Sequence, residues 1–124
     1  MDKKKALKKV KENGWYLEEL PANLKKDRDI VIEALKSQPG VLEVVDKSLQ
    51  DDKEIVNMCI INSNNGMLMK HAGKKLKKNK EFIMDLLKKT KNNYVFEYAD
   101  KSLENDPDLN EQAQKNLKGQ KAPY

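Results

Sequence analysis

Apolar residues recur along the chain in a four-position stripe, i, i+1, i+4 and i+5. The stripe appears as Ile30, Val31, Ala34 and Leu35, as Ile55, Val56, Cys59 and Ile60, and as Phe82, Ile83, Leu86 and Leu87. That spacing follows the 3.6-residue period of a helix and not the alternation of a strand. Each stripe is introduced by one phrase: a leucine, two polar residues, an Asp or Asn, a variable residue, an acid and an apolar residue. It reads Leu24 to Ile30, Leu49 to Ile55, Leu76 to Phe82 and Leu103 to Leu109, with the leucines 25, 27 and 27 residues apart.

The phrase is a helix start. Asp27, Asp52, Asn79 and Asp106 are favoured N-caps, whose side-chain oxygens accept an otherwise unpaired N–H of the first turn. Asp29, Glu54, Glu81 and Asp108 then place negative charge beside the positive end of the helix. Pro107 falls at a first helical position, where its missing N–H costs nothing. Long helices are therefore predicted over 28–38, 53–64, 80–91 and 107–118, with Pro39 and the cluster Asn64, Asn65 and Gly66 ending the first two. Upstream of each anchor leucine, Leu17 and Leu20, Leu42 and Val45, Met69 and Ala72, and Phe96 and Ala99 repeat a spacing of three and then four. That spacing predicts a short helix before each long one.

The predicted fold is all-α, a short array of four helix–turn–helix repeats of about 25–27 residues, stacked as a solenoid or a compact helical bundle. The expected division is a capping helix in 1–13, repeats at 14–39, 40–65, 66–92 and 93–118, and a disordered tail at 119–124. The last long helix keeps only Leu109, Ala113 and Leu117, and the first, near 3–12, only Ala6, Leu7 and Val10 among six lysines. Polar outer faces of this kind cap a solenoid, so the reading expects a self-contained array.

The run from Asn13 through Trp15, Tyr16, Leu17, Leu20, Pro21 and Leu24 to Asp27 resembles the tandem helical repeats of the family numbered domain of unknown function 4116. The run Tyr98, Ala99, Asp100, Lys101, Ser102, Leu103, Glu104, Asn105, Asp106 is similar to the same family's phrase, and the resemblance covers roughly residues 10–118. It departs at the turn residues Pro21, Asp46 and Gly73 and at Asn79, which replaces an aspartate. The resemblance implies an α-helical tandem repeat and carries no catalytic residue across.

Charge changes the picture less than it first promises. The net charge of +5 suggests nucleic acid, but 24 of the 25 basic residues are lysine and only Arg28 is arginine. Arginine is the side chain that reads guanine and grips phosphate through two bonds, so base-specific recognition is disfavoured. The charge is also blocky: +4 over 1–26, −4 over 27–65, +7 over 66–92 and −2 over 93–124. Only the third block is concentrated, at Lys70, Lys74, Lys75, Lys77, Lys78 and Lys80. The second candidate surface is aromatic, Trp15 and Tyr16, since the repeat itself does not require the tryptophan whose place is taken by Gly40, Met67 and Tyr94.

Chemistry is sparse. One histidine, His71, and one cysteine, Cys59, cannot assemble a Cys/His zinc set within one chain. Cys59 sits on an apolar stripe, where a buried thiol behaves as a small hydrophobe. Gly73, Lys74 and Lys75 imitate the end of a phosphate loop, but Leu68 stands where the first glycine belongs and Lys75 where a Ser or Thr is required. The expectation is thus a non-enzymatic module without cofactor or metal that binds another protein. The alternative is nucleic-acid or polyanion binding through residues 70–80. No run approaches the 18 apolar residues of a membrane span, and a single cysteine suits a reducing compartment. The expectation is therefore a cytoplasmic chain, a monomer unless its charge blocks pair head to tail.

Overall fold

The computed structural model describes residues 1–119. Five long helices dominate it: α1 (Lys3–Glu12), α3 (Arg28–Ser37), α5 (Lys53–Ser63), α7 (Lys80–Thr90) and α9 (Pro107–Gly119). Between them lie the single-turn helices α2 (Ala22–Lys25), α4 (Lys47–Gln50), α6 (Lys74–Lys77) and α8 (Tyr94–Glu97). Segments of 3₁₀ helix occupy Gly14–Glu19, Pro39–Val44, Gly66–His71 and Lys101–Leu103. There is no strand among the described residues, and the fold is all-α.

Every predicted cap forms. Asp27 accepts the N–H of Asp29 and of Ile30 at 3.0 and 3.3 Å. Asp52 accepts that of Ile55 at 3.1 Å, Asn79 that of Phe82 at 3.0 Å and Asp106 that of Leu109 at 3.0 Å. Asp2 does the same for Lys5 at 2.8 Å, so α1 begins as the other long helices do. The anchor leucine has a backbone role as well. In all four repeats its carbonyl accepts the N–H of the cap, at 3.1 Å for Leu24, Leu49 and Leu76 and 3.0 Å for Leu103. The phrase is a turn closing directly onto a cap.

The short helices differ from expectation. The segment upstream of each anchor leucine is interrupted by an extended break: Pro21, Asp46, Gly73 and Asp100 have φ between −65° and −51° and ψ between 138° and 161°, and Leu20, Val45 and Ala72 before the first three are extended as well. In the first three repeats a 3₁₀ segment precedes the break and a single α turn follows. In the fourth the order is reversed, with α8 first. The three-residue spacing is that of the 3₁₀ turn. Leu20, Val45, Ala72 and Ala99 each donate their N–H to the carbonyl three residues back, at 3.0–3.3 Å.

The long helices lie side by side and run in the same direction. At one edge the first residues of α1, α3 and α7 meet the acids that open the next helix: Lys3 Nζ lies 3.3 Å from Asp27 and 2.7 Å from Asp29. Arg28 lies 3.2 Å from Asp52 and 2.9 Å from Glu54, and Lys80 lies 3.0 Å from Asp106 and 2.7 Å from Asp108. At the other edge the helix ends meet in turn, Asn92 Nδ2 donating to the Asn64 carbonyl at 3.1 Å and Asn116 Nδ2 to that of Leu87 at 3.1 Å. Neighbours α1 and α3, α3 and α5, α5 and α7, and α7 and α9 pack pairwise. The short segments form a second layer, and the core lies between the two.

All twelve residues of the three apolar stripes are buried. The terminal helices divide the stripe between them. Helix α1, which has only α3 beside it, buries Ala6 and Val10, at the places of Val31 and Leu35. Helix α9, which packs on α7, buries Leu109 and half-buries Ala113, at the places of Ile30 and Ala34. The first and third members of each stripe therefore face the preceding helix, and the second and fourth the following one.

Two expectations fail at the C-terminal end. Leu117 is 56% exposed, whereas Asn116, one residue earlier, is 3% exposed. Asn116 is fully engaged, donating to the Leu87 carbonyl and to Asn93 Oδ1 at 2.9 Å while accepting from Gln112 at 3.0 Å. A buried amide with every bond made carries little penalty and fixes its register. Helix α9 also continues one residue further than expected, through Gly119; the rest of the expected tail, 120–124, lies outside the described residues.

Candidate functional site

The lysine-rich turn is built on α6 and the segments flanking it. Lys70, Lys74, Lys75 and Lys78 are exposed, and Lys77 and Lys80 are half-exposed. The six do not act alike. Lys80 is committed to the next repeat, its pKa raised by the hydrogen bond to Asp108 and then by that to Asp106. Lys77 folds back and donates to the Lys70 carbonyl at 2.8 Å, which draws its ammonium towards the 3₁₀ segment. A seventh lysine joins them. The Asp100 N–H donates to the Lys77 carbonyl at 3.0 Å, bringing exposed Lys101 of the following repeat against this turn.

Gly73 explains why the turn closes where it does. Its N–H donates to the Gln50 carbonyl at 2.8 Å, and a Cβ there would lie 2.1 Å from Asp51 Oδ1. In the second and fourth repeats the corresponding residue is itself a capping aspartate: Asp46 accepts from the Ser48 N–H at 3.1 Å and Asp100 from the Ser102 N–H at 3.0 Å. Gly73 has no such side chain, and Asp51 reaches in from the repeat before to accept the Leu76 N–H at 3.2 Å. Asp51 is thus taken up by structure beside the lysines.

Trp15 and Tyr16 are half-buried and pack against the core. The Trp15 ring crosses to the second repeat, 3.8 Å from where a Cβ of Gly40 would stand, and Lys9 Nζ sits 5.6 Å from the centre of the Tyr16 ring. The structure does not bring this pair to the lysine turn. At the same repeat position Met67 and Tyr94 are 39% and 47% exposed, and Tyr94 stacks on Tyr98 with ring centres 6.4 Å apart. An open cleft of about 430 Å³, lined by Asn64, Thr90, Asn92, Tyr94 and Leu117, lies beside it.

Cys59 and His71 are both shaped by burial. Burial pushes the Cys59 thiol up to about 12, and its Sγ donates to the Pro39 carbonyl at 3.4 Å. His71 is held below its ordinary pKa by partial burial, with Lys70 and Lys77 adding to the effect and Glu43 opposing it. Among the described residues no group of three or more His, Cys, Asp or Glu side chains could hold a metal ion, and no helix is long and apolar enough to cross a membrane.

Two features escaped the sequence reading. One is a helix-end motif. Ser63 and Thr90 bond back to the carbonyls of Cys59 and Leu86 at 2.8 and 2.7 Å, then accept the N–H of Asn65 and Asn92. Those asparagines accept in turn from Met67 and Tyr94 at 3.1 Å, and Asn13 from Trp15 at 3.1 Å. The signal was present as Ser or Thr two residues before Asn.

The other is the cation ladder at the helix starts, visible as Lys or Arg immediately after each of four caps. One rung is missing: Asn79 carries no charge, and Lys53 makes no ion pair among the described residues. Changing Asn79 to Asp keeps the cap and supplies the missing partner. The expected gain is about 0.3–1 kcal/mol at low ionic strength, shrinking in high salt. Chemical denaturation at two salt concentrations checks it, and no gain at low salt would show that the rungs contribute nothing.

The arrangement defines a class: an all-α tandem repeat in which parallel long helices alternate with broken short segments. The sequence matches the family described as Domain of unknown function (DUF4116) over residues 2–50 and again over 52–104, and the chain belongs to that family. The matched unit spans two of the 25–27-residue repeats and opens on a long helix, so α1 begins the first unit rather than standing apart from it. No curated protein and no solved structure was found to match the chain.

Proposed function

We propose that the chain is a non-enzymatic helical-repeat module that binds another protein. The carrying observation is the layer of five parallel long helices. Stacking consumes one side of each helix and leaves the other sides as one broad, continuous face. Stacked helices of this kind characteristically present extended binding surfaces. The exposed Met67, Tyr94 and Leu117, which packing does not require, support the same reading. Affinity capture with the intact chain, with and without nuclease digestion, tests it. Retention of the same proteins in both arms is the expected result, and no retained protein in either arm would overturn it.

A second reading is favoured by one observation: Lys70, Lys74, Lys75 and Lys78 are exposed and make no ion pair among the described residues. Here a polyanion would be held by charge alone. Binding to single-stranded RNA should fall steeply with salt, and should weaken when Lys74, Lys75, Lys77 and Lys78 are changed to Ala. Salt-independent or undetectable binding in a filter assay would remove this reading.

A further inference from the structure

We infer that Trp15, Glu18 and Glu43 form a seat for an arginine side chain of a partner protein. The inference rests on the interaction reading above and gives it a contact on the layer of short segments.

Two 3₁₀ segments build the seat. Gly14–Glu19 and Pro39–Val44 hold the same place in the first two repeats and pack side by side. A 3₁₀ helix turns once in three residues, so side chains at i and i+3 stand in line, about 6 Å apart along the axis. On the first segment that line is Trp15 and Glu18; on the second it is Gly40 and Glu43. The Trp15 ring crosses to the second line, where the glycine leaves room for it. The ring therefore spans both segments, and one turn further along each segment presents a carboxylate.

These groups are not taken up by the fold. Trp15 is only half-buried, and Glu18, Glu19 and Glu43 are exposed and make no ion pair among the described residues. The two segments hold these three glutamates and no basic residue. Three lysines border them. Lys9 is placed over Tyr16, Lys25 follows on α2, and Lys70 stands at the Glu43 place on the next segment. None of the three is ion-paired to these glutamates among the described residues. His71 lies near enough to feel Glu43, but its lowered pKa keeps it largely uncharged at pH 7. Gln50 reaches back from α4, but its amide donates to the carbonyls of Leu42 and Glu43 at 2.9 and 3.4 Å and leaves the Glu43 carboxylate open.

The chemistry of the seat selects its occupant. An aromatic face attracts a cation, and the neighbouring Tyr16 already holds one, with Lys9 Nζ 5.6 Å from its ring centre. Two carboxylates one turn beyond the indole suit a head with several donors. Arginine meets both demands, because its stem and planar head stack on a ring and its guanidinium forks onto carboxylates through paired N–H bonds. A lysine offers a compact, strongly hydrated ammonium instead.

Trp15 is the single tryptophan of the chain, so its emission reports on the seat alone. The probe is an end-blocked peptide, Gly-Arg-Gly-Arg-Gly, titrated into the full chain at pH 7 and low ionic strength. Its controls carry Lys, or citrulline as the uncharged relative of arginine. The Arg peptide is expected to change the Trp15 emission saturably and to shift the amides of Gly14–Glu19 and Pro39–Val44. The Lys peptide should bind about threefold or more weakly, and the citrulline peptide about tenfold or more weakly. The pair Glu18→Gln and Glu43→Gln should weaken the Arg peptide about three- to tenfold, while Glu81→Gln and Glu104→Gln should leave it unchanged; thermal melts confirm that both variants fold.

No saturable binding, equal affinity for the Arg peptide and either control, shifts that bypass the two segments, or equal weakening by the two glutamate pairs would overturn the inference. Capture of protein partners equally by wild type and by the Glu18, Glu43 variant would overturn the seat and leave the interaction reading standing. Failure of wild type to retain any protein, with the Arg peptide still bound as described, would overturn the interaction reading alone.

Discussion

Truncating Leu76 to alanine is expected to destabilise the chain by about 2–5 kcal/mol, towards the upper part of that range. Leu76 is 2% exposed and sits beneath the turn that carries the lysines. Its backbone closes the turn onto Asn79, and its N–H is held by Asp51 of the preceding repeat. The deleted methyl groups would leave a cavity at a point where two repeats are bonded together, so the surroundings cannot collapse freely. Leu49 occupies the same repeat position but is only half-buried. Leu49→Ala should therefore cost clearly less, about 1–2 kcal/mol. Urea denaturation of the two variants side by side checks both numbers. Equal losses would show that the repeats are energetically equivalent despite their different burial.

The second large effect is at Gly14. A Cβ added there would stand 2.4 Å from the Ala34 carbonyl oxygen and 3.2 Å from Gln38 Cβ. The obstacle is backbone, which cannot rotate aside, so Gly14→Ala must separate the first 3₁₀ segment from the end of α3. The expected cost is about 2–3 kcal/mol. Gly40→Ala is the matched control. A Cβ at Gly40 would meet only the Trp15 ring, at an ordinary 3.8 Å. Neither glycine has a positive φ, so the added methyl at position 40 should be neutral or should stabilise by about 0.4–1 kcal/mol through the unfolded chain. Thermal unfolding separates the two, and a Gly14→Ala protein melting with wild type would disprove the close approach.

Gly14 also shows how the two halves of the chain correspond. Gly66, which opens the third repeat as Gly14 opens the first, is also closed in: a Cβ would stand 2.6 Å from Asn92 Oδ1 and 3.0 Å from the Val95 nitrogen. Gly14 and Gly66 are 52 residues apart, as are Leu24 and Leu76, the two anchor leucines that are buried. Leu49 and Leu103, in the second and fourth repeats, are half-buried, and there the extended break is an aspartate followed two residues later by serine. The alternation agrees with a family unit that spans two repeats.

Helices α3, α5 and α7 were legible because each is specified twice, by a capping side chain and by a four-position stripe. Their starts are set by a first-turn N–H donating to a named side chain, which leaves no freedom. The short segments were misread because spacings of three and four suit a helix and a 3₁₀ turn joined by a break almost equally well. Pro21 was the warning, since the residue before a proline avoids the helical region. Asn116 and Leu117 were misjudged for a different reason. Their exchange of places depends on partners from α7 and the following segment, Leu87 and Asn93, that no local pattern contains. The lysine turn was visible as composition. That Lys80 belongs to the next repeat, and Lys101 to this turn, could only be learned from stacking.

The common direction of the long helices has an electrical consequence. Each helix carries a dipole, and dipoles aligned side by side repel, whereas an up-and-down bundle lets neighbours cancel. Five such dipoles point the same way here. Their positive ends are met by Asp27, Asp29, Asp52, Glu54, Glu81, Asp106 and Asp108, and their negative ends by lysines in the last turns of α1, α3, α7 and α9. Much of what composition registers as a highly charged surface is therefore the counter-charge that allows parallel helices to lie in one sheet.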